Sequence, residues 1–297
     1  MSFADTYSRK LTTPHDAIDL VRDHDTVVVS TGAGEAPALL DALSDRRRDL
    51  HDVTVSQILP LKPRGYLDPE TVQNVRHTAY FLSGQTRPGA QAGWVDYRAN
   101  YFWEMPMLIR RGLFPVDVVF AYASPMDEDG NFSIGLSPDY TMAAIAKARS
   151  VVVETNPYVP WCYGPNKVHV DQVAAIVETD IPVTEVGLPT IGPVQKAIGG
   201  YVADLIPDGA TIQIGFGAIP DAVVMQLQDK KDLGIHTEMI GDGILTLIES
   251  GVANNSRKNV DPGVMHATFG LGSHRLYEYM NRNPVLEMHP VDGTNPP

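Results

Sequence analysis

The chain has 297 residues, 43% hydrophobic and 20% charged, which is enough apolar material for cores, and its length favours two domains. With 23 Lys and Arg against 36 Asp and Glu, the formal net charge is −13, which argues against binding to nucleic acid or to an anionic membrane surface. The single cysteine, Cys162, excludes an internal disulfide and suits a reducing compartment. Without an apolar leader or an apolar run of about 18 residues, the chain is expected to be soluble and cytoplasmic.

A strand–helix–strand pattern opens the chain after a predicted helix over residues 14–22. A β-branched strand is followed by a glycine-rich turn, an amphipathic helix and a second strand, which predicts a parallel sheet covered by helices. These segments are 26–30, 31–37, 38–43 and 53–57. Later segments predict a strand over 116–120, a helix over 141–149 and a strand over 150–154.

The same pattern returns at an offset of 183 residues, the distance from Gly32 to Gly215. The other matched positions are Gly34 with Gly217 and Pro37 with Pro220. The repeat predicts two related open parallel-sheet α/β domains, residues 1–186 and 187–297, joined through the Pro/Gly-rich stretch 187–193. The second copy stops before counterparts of the strands at 116–120 and 150–154, so we expect its domain to be incomplete in this chain.

The two copies differ at one chemically informative position, where Glu238 replaces Val55. A predicted strand over 212–214 leads into the turn 215–218 and a helix over 221–228, and the next strand carries Glu238 beside that turn. A carboxylate in an interior strand, close to convergent N–H donors, can attack an activated acyl carbon.

Two other interpretations of this region stay open. Gly215-x-Gly-x-x-Pro220 nearly matches a dinucleotide fingerprint, in which Glu238 would bind a ribose hydroxyl, although Pro220 replaces the third glycine. Alternatively, both glycine turns only connect strand to helix, and Glu238 is a solvated surface residue.

Other motif classes are absent from the sequence or ambiguous. The nine histidines never adopt His-Glu-x-x-His spacing and no cysteine pair exists, so we expect no metal site. Neither a triphosphate-binding loop nor a Gly-x-Ser-x-Gly elbow occurs. The stretch 121–140, rich in Ser, Gly, Pro and Asp, is either a ligand-binding loop at the end of a strand or a solvated hairpin.

Four separated, ordered motifs resemble the acetyl-CoA hydrolase/transferase family, and within it the 4-hydroxybutyrate and butyryl-CoA:acetate CoA-transferases. They lie at residues 215–223, 234–243, 251–258 and 267–277, and the resemblance extends to 124–130 and 133–140. It implies CoA transfer between short-chain carboxylic acids by a ping-pong mechanism, with Glu238 as the nucleophile that forms a glutamyl-CoA thioester.

Further residues are predicted to complete this site from their chemistry and their place in the chain. The predicted oxyanion and CoA-binding positions are Gly215, Phe216, Gly217, Ala218, Arg257, Lys258, Gly270 and Gly272, and the predicted acyl pocket comprises Gln85, Ser124, Ser133 and Gly135. Acyl-CoA and carboxylates are the expected substrates, with no tightly bound cofactor and with a homo-oligomer as the assembly. The alternatives are an acyl-CoA hydrolase and, more distantly, a nucleotide-binding module without catalysis.

Overall fold

Seven parallel strands form the main sheet of the structure, a computed structural model that describes residues 2–295. The strands of the first half are β1 (Thr26–Val29), β2 (Val53–Gln57), β3 (Val75–Ala79), β4 (Val95–Tyr97), β5 (Val118–Ala123), β6 (Asn131–Ser133), β7 (Ser150–Thr155), β8 (Lys167–His169) and β9 (Ala175–Glu178). Their order in the sheet is β4-β3-β2-β1-β5-β7-β9, and β6 pairs separately with β8 in antiparallel fashion.

The helices of the first half cover this sheet and connect its strands. They are α1 (Phe3–Lys10), α2 (Pro14–Ala17), α3 (Pro37–Asp45), α4 (Arg87–Ala92), α5 (Glu104–Arg110) and α6 (Thr141–Ile145). Every residue of β1, β5 and β7 is buried, as expected for strands covered on both faces. The predicted α/β class is confirmed.

The second half contains a smaller set of parallel strands and five more helices. These are β10 (Thr211–Ile212), β11 (Gly234–Ile235), β12 (Met239–Ile240), β13 (Met265–Ala267), β14 (Phe269–Gly270) and β15 (Leu286–Met288), with α7 (Pro193–Asp204), α8 (Ala218–Met225), α9 (Asp242–Glu249), α10 (His274–Met280) and α11 (Val291–Thr294). The pairs β10-β11, β13-β15 and β12-β14 are parallel, and a bridge between His236 and His266 joins β11 to β13.

Several predicted elements differ from the observed ones in length. The helix predicted over 14–22 ends at Ala17 and continues as a 3-10 turn to Leu20, and the helix predicted over 141–149 ends at Ile145. The strand predicted over 212–214 stops at Ile212, because the N–H of Ile214 turns to the Thr237 hydroxyl. The helix predicted over 221–228 begins earlier, at Ala218, since Pro220 fits a first helical turn.

The two halves pack closely against each other. One cluster of buried apolar side chains includes residues of both, from Ile18 to Met288, although the stretch 180–192 between them has no regular secondary structure. Backbone hydrogen bonds also cross between them, from Gly270 N to Leu136 O (2.9 Å) and from Met288 N to Tyr163 O (2.9 Å). The boundary after residue 186 stays a prediction. Among the helices of residues 2–295, none combines the length and the apolar character needed to cross a membrane.

Candidate active site

A cavity of about 480 Å³ lies between the two halves, at the carboxyl ends of the first four strands. That edge of a parallel sheet is the usual ligand-binding position in α/β proteins. The lining residues of the first half are Thr31, Ile58, Leu59, Tyr80, Phe81, Asn100, Tyr101 and Phe102, and those of the second half are Phe216, Glu238, Met239, Phe269 and Leu271. Among these lining residues Glu238 is the one carboxylate, and it stands in largely apolar surroundings.

Glu238 lies where two neighbouring strands of the second half are interrupted. His236, Thr237 and Glu238 separate β11 from β12, and Thr268 separates β13 from β14. The backbone carbonyl of Glu238 accepts two hydrogen bonds, from the N–H groups of Thr268 (3.0 Å) and Phe269 (3.1 Å). These two hydrogen bonds therefore hold the backbone of Glu238 in place at the cavity wall. In the first half, Val55 stands in the unbroken strand β2.

Asn295 contacts Glu238 directly, a partner that the sequence did not indicate. Its side-chain amide donates a 2.7 Å hydrogen bond to Oε2 of Glu238, across a separation of 57 residues. Asn295 follows α11, which is anchored to the first half through a hydrogen bond from Val291 N to the Asp139 carbonyl (3.1 Å). Within residues 2–295, Oδ1 of Asn295 is buried and has no hydrogen-bond partner. The nucleophile predicted from the repeat is thus oriented by a residue that only the fold brings near.

The surroundings of Glu238 change its acidity. Burial raises its pKa above that of an ordinary glutamate, the hydrogen bond from Asn295 lowers it in part, and the nearby Asp139 carboxylate raises it further. A carboxylate that is poorly solvated in its ionised form has the properties of a catalytic nucleophile.

The glycine turn lies on the same side of the cavity. Gly217 has φ 123°, a conformation that favours glycine, and α8 begins at the next residue, Ala218. In the described part of the chain, the backbone N–H groups of Phe216 and Gly217 have no protein acceptor. Free N–H groups at the start of a helix are suited to stabilising negative charge.

Comparisons with known proteins show which family the chain resembles. Residues 1–186 match the model of the acetyl-CoA hydrolase/transferase N-terminal domain. The chain is 43% identical over 296 residues to the succinyl-CoA:cyclohexane-1-carboxylate CoA transferase of Geobacter metallireducens, covering 100% of this chain and 67% of that protein.

The chain belongs to the acetyl-CoA hydrolase/transferase family.

Further similarities support this assignment. The 4-hydroxybutyrate coenzyme A transferase of Clostridium kluyveri is 38% identical over 297 residues, which are 100% of this chain and 69% of that enzyme. The crystal structure of RipA from Yersinia pestis has a TM-score of 0.92 at 35% identity and covers 98% of this chain and 70% of its own. The chain thus spans roughly two thirds of the length of these relatives. The predicted family is confirmed, and because both named relatives are CoA-transferases, so is the predicted enzyme class.

The structure does not place the four predicted acyl-pocket residues of this family member at the cavity. Ser124 and Ser133 are fully buried. Ser124 Oγ accepts a hydrogen bond from Ser133 N (3.0 Å), and Ser133 Oγ donates one to Asn166 Oδ1 (2.8 Å). A Cβ added to Gly135 would lie 2.0 Å from the Pro160 carbonyl oxygen, so this glycine serves close packing. Gln85 donates its side-chain amide to the Leu61 carbonyl (3.4 Å). The apolar residues that line the cavity instead carry no motif that the sequence could have revealed.

The two predicted CoA-binding cations, Arg257 and Lys258, differ in their exposure to solvent. Arg257 is exposed, with Nη1 3.4 Å from the Asp208 carbonyl, and stays accessible to a ligand. Lys258 is buried, and its Nζ donates to the carbonyls of Ile235 and Val264, so its ammonium group is occupied within the second half. Lys258 therefore stabilises the backbone of the second half.

The remaining predicted glycines have structural explanations. A Cβ at Gly270 would lie 2.7 Å from Met280 Cε, and one at Gly272 would lie 2.7 Å from Asp242 Oδ2. Both glycines therefore allow close packing of the segment that follows β13. Gly215 lies outside the cavity, against Pro220 in a neighbouring apolar groove.

Proposed function

We propose that this chain transfers CoA between carboxylic acids in a ping-pong reaction with Glu238 as the nucleophile. The observation that supports this proposal is a single carboxylate at an apolar cavity wall, oriented by Asn295, in a chain related to CoA-transferases. The cavity is formed by both halves, which agrees with a site that holds an acyl group against a CoA-binding half.

The reaction is balanced without an added cofactor. An oxygen of the Glu238 carboxylate attacks the thioester carbonyl, the C–S bond breaks, and CoA leaves as the thiolate. The thiolate then attacks the glutamyl carbonyl of the resulting anhydride, and the first acid leaves as its carboxylate. A second carboxylate attacks the glutamyl-CoA thioester and the two steps run in reverse.

Stabilisation of charge accounts for the role of the glycine turn. Each step passes through a tetrahedral oxyanion, and the N–H groups of Phe216 and Gly217 are the donors we assign to it. One such donor contributes about 3 kcal/mol to transition-state stabilisation. The apolar walls exclude water, which would otherwise hydrolyse the anhydride or the thioester.

The lining of the cavity favours acyl groups with an apolar body. Leu59, Tyr80, Phe102 and Phe269 offer hydrocarbon surface, and the lining set contains no Lys or Arg that would pair with a second carboxylate. We therefore expect butyrate, 4-hydroxybutyrate and acetate to be accepted as the acids, and a dicarboxylate to bind less well.

Trapping of the intermediate tests the proposal. The full chain is incubated with butyryl-CoA, reduced with borohydride and digested, and the peptide that contains Glu238 is examined by mass spectrometry. Reduction of a glutamyl thioester at Glu238 is the expected result. An unmodified peptide, together with undiminished turnover by Glu238→Gln, would refute covalent catalysis through Glu238.

A second measurement separates transfer from hydrolysis. Transfer to acetate consumes butyryl-CoA without net release of free thiol, whereas hydrolysis releases one thiol for each thioester consumed. The proposal requires acetate-dependent consumption with little thiol release. Location in the cytoplasm and assembly into a homo-oligomer remain predictions.

A further inference from the structure

Neighbouring strands of the second half present three histidines and a glutamate on one face. His236 and His266 are bridged as parallel neighbours, and His266 is in register with Glu287 on β15. Residues two apart on a strand point to the same side, so His289 shares the face of Glu287. The ring centroids of His266 and His289 are 4.4 Å apart, and those of His236 and His266 are 5.2 Å apart.

His266 is the buried member of this group. It is 3% exposed, and in the part of the chain that the structure describes its Nε2 has no hydrogen-bond partner. Oδ2 of Asp261 lies 3.2 Å from Nε2, so a carboxylate stands beside this nitrogen. A buried imidazole nitrogen without a partner is uncommon and calls for a ligand or an ion. A neutral imidazole ring has a lone pair available for coordination.

The charges around His266 are compatible with a cation. Two carboxylates, Glu287 and Asp261, face the group, and Glu287 Oε2 lies 2.8 Å from His289 Nε2. The nearby cation, Lys258, directs its ammonium group to the Ile235 and Val264 carbonyls. The carboxylates therefore outweigh the single ammonium group next to the histidines.

We propose that His266, Glu287 and His289 bind a divalent transition-metal ion, with Asp261 available as a fourth ligand. One potential ligand atom from each of the three residues lies within 4.8 Å of the other two. Tetrahedral Zn²⁺ places its ligand atoms about 3.3 Å apart, so the side chains must close by up to about 1.5 Å. Glu287 and His289 are less buried than His266 and can make this adjustment. Two imidazoles with carboxylate oxygens suit Zn²⁺ and disfavour Mg²⁺ or Ca²⁺.

The ion would hold the segment that reaches the nucleophile without touching the reacting atoms. His289 stands just before α11, and α11 ends next to Asn295, which donates to Glu238. The Thr294 carbonyl lies 3.0 Å from Nε2 of His236, beside the same cluster. Coordination at His289 therefore fixes the start of the segment that carries Asn295. His266 lies on β13, whereas Glu287 and His289 belong to the segment of β15, which is why spacing along the sequence gave no metal motif.

Metal binding to the full chain tests this proposal. The protein, purified without a histidine tag and treated with EDTA, is dialysed against low-micromolar ZnCl₂, and bound zinc is measured by elemental analysis. We expect about one zinc per chain, a visible absorption band when Co²⁺ replaces Zn²⁺, and no comparable binding of Mg²⁺. Glu287→Gln and His289→Ala should each weaken zinc binding at least about tenfold.

Matched variants make the outcome decisive. His274→Ala changes an exposed histidine that pairs with Glu278 outside the cluster and should keep full zinc binding. Glu238→Gln should also keep it, so failure of the proposed catalysis and failure of the metal site are separate results. Circular dichroism confirms that each variant is folded. Binding of well under one zinc per chain, or binding that the Glu287→Gln/His289→Ala double variant retains, would overturn the proposal.

Discussion

At the scale of single residues, Glu238 combines three features that its repeat partner Val55 lacks. It occupies an interruption of the strand, its carbonyl accepts two N–H groups from the neighbouring strand, and its carboxylate has a dedicated amide donor. Replacing Val55 by glutamate would add a carboxylate but neither the strand interruption nor the pair of N–H donors to the backbone carbonyl, because β2 is regular at that point.

Glu238→Gln should remove activity while leaving the site intact. Glutamine is isosteric and still accepts the hydrogen bond from Asn295, but its amide cannot form the anhydride, so we expect kcat to fall about a thousandfold or more. Steady-state kinetics with butyryl-CoA and acetate measure the loss. Glu249→Gln, at an exposed glutamate paired with Arg275, is the control and should retain normal turnover.

Asn295→Ala should change the pH dependence of catalysis as well as its rate. The Asn295 hydrogen bond stabilises the ionised form of Glu238 and lowers its pKa, so its removal raises that pKa further. Because the ionised form is the nucleophile, the acidic limb of kcat/KM should shift to higher pH, and the variant should lose more activity at low pH than at high pH. An equal loss at every pH would indicate a structural role only.

The sequence predicted Glu238 as a site residue, but it indicated neither its hydrogen-bond partner Asn295 nor the residues that line the cavity. Comparison of the two copies points to the position where Glu238 replaces Val55, but it carries no information about side-chain contacts. Asn295 is brought to Glu238 by β15 and α11, which no local pattern encodes. Ser124 and Ser133 were predicted as ligand contacts from the polar composition of their loop, whereas their hydroxyl groups satisfy buried backbone and amide groups.

At the scale of elements, the predicted bounds agree with the structure for β2, a strand of five mostly buried residues. β2 was predicted with its observed bounds, because Val53 and Val55 alternate with polar residues in a short β-branched run. The strands of the second half have only two or three residues each, so the pattern predicted a longer β10 than the structure has. Short strands carry too few side chains for periodicity to define their ends.

Glu154 links β7 to the start of α3, and its substitution should alter how stability depends on pH. Its Oε2 accepts the N–H groups of Ala38 (2.9 Å) and Leu39 (3.1 Å), while burial raises its pKa from 4.5 to about 7. A raised pKa means that the protonated form is favoured on folding, so this contribution is complete below pH 4.5 and is lost as the pH rises to 7.

Glu154→Gln should therefore reduce the loss of stability between pH 5 and pH 8. The amide oxygen can still accept both N–H groups, and the protonation step is absent, which removes a contribution on the order of 3 kcal/mol from the pH dependence. Urea unfolding at both pH values measures the difference. Parallel pH profiles for the two proteins would show that Glu154 does not titrate in this range.

Gly135→Ala should destabilise the packing of Gly135 against the segment around Pro160. The added Cβ would lie 2.0 Å from the Pro160 carbonyl, a backbone atom that cannot move without the segment around it, so we expect a loss of about 3 kcal/mol or more. Thermal unfolding measures the effect. Gly84→Ala is the matched control, since a Cβ there meets nothing within 4 Å, and should be close to neutral.

At the scale of the whole molecule, the two halves share both the cavity and a core. The cluster of buried side chains extends through both, and the ion pair between Arg110 on α5 and Asp292 on α11 (2.5 Å) adds a contact between them. Calorimetry of the full chain should therefore show one cooperative unfolding transition. Two resolved transitions would mean that the halves unfold independently and that the shared core contributes little.

The contact between Tyr163 and β15 has a consequence for how the chain is made. Tyr163 bridges to Glu287, and Gly164 has φ 106° and approaches so closely that a Cβ would lie 2.5 Å from the Met288 carbonyl oxygen. An exposed strand edge is a template for pairing with other chains. Since the first half leaves the ribosome before β15 is synthesised, its Tyr163–Gly164 segment can cover that edge as soon as it forms, and so protect the nascent protein from aggregation.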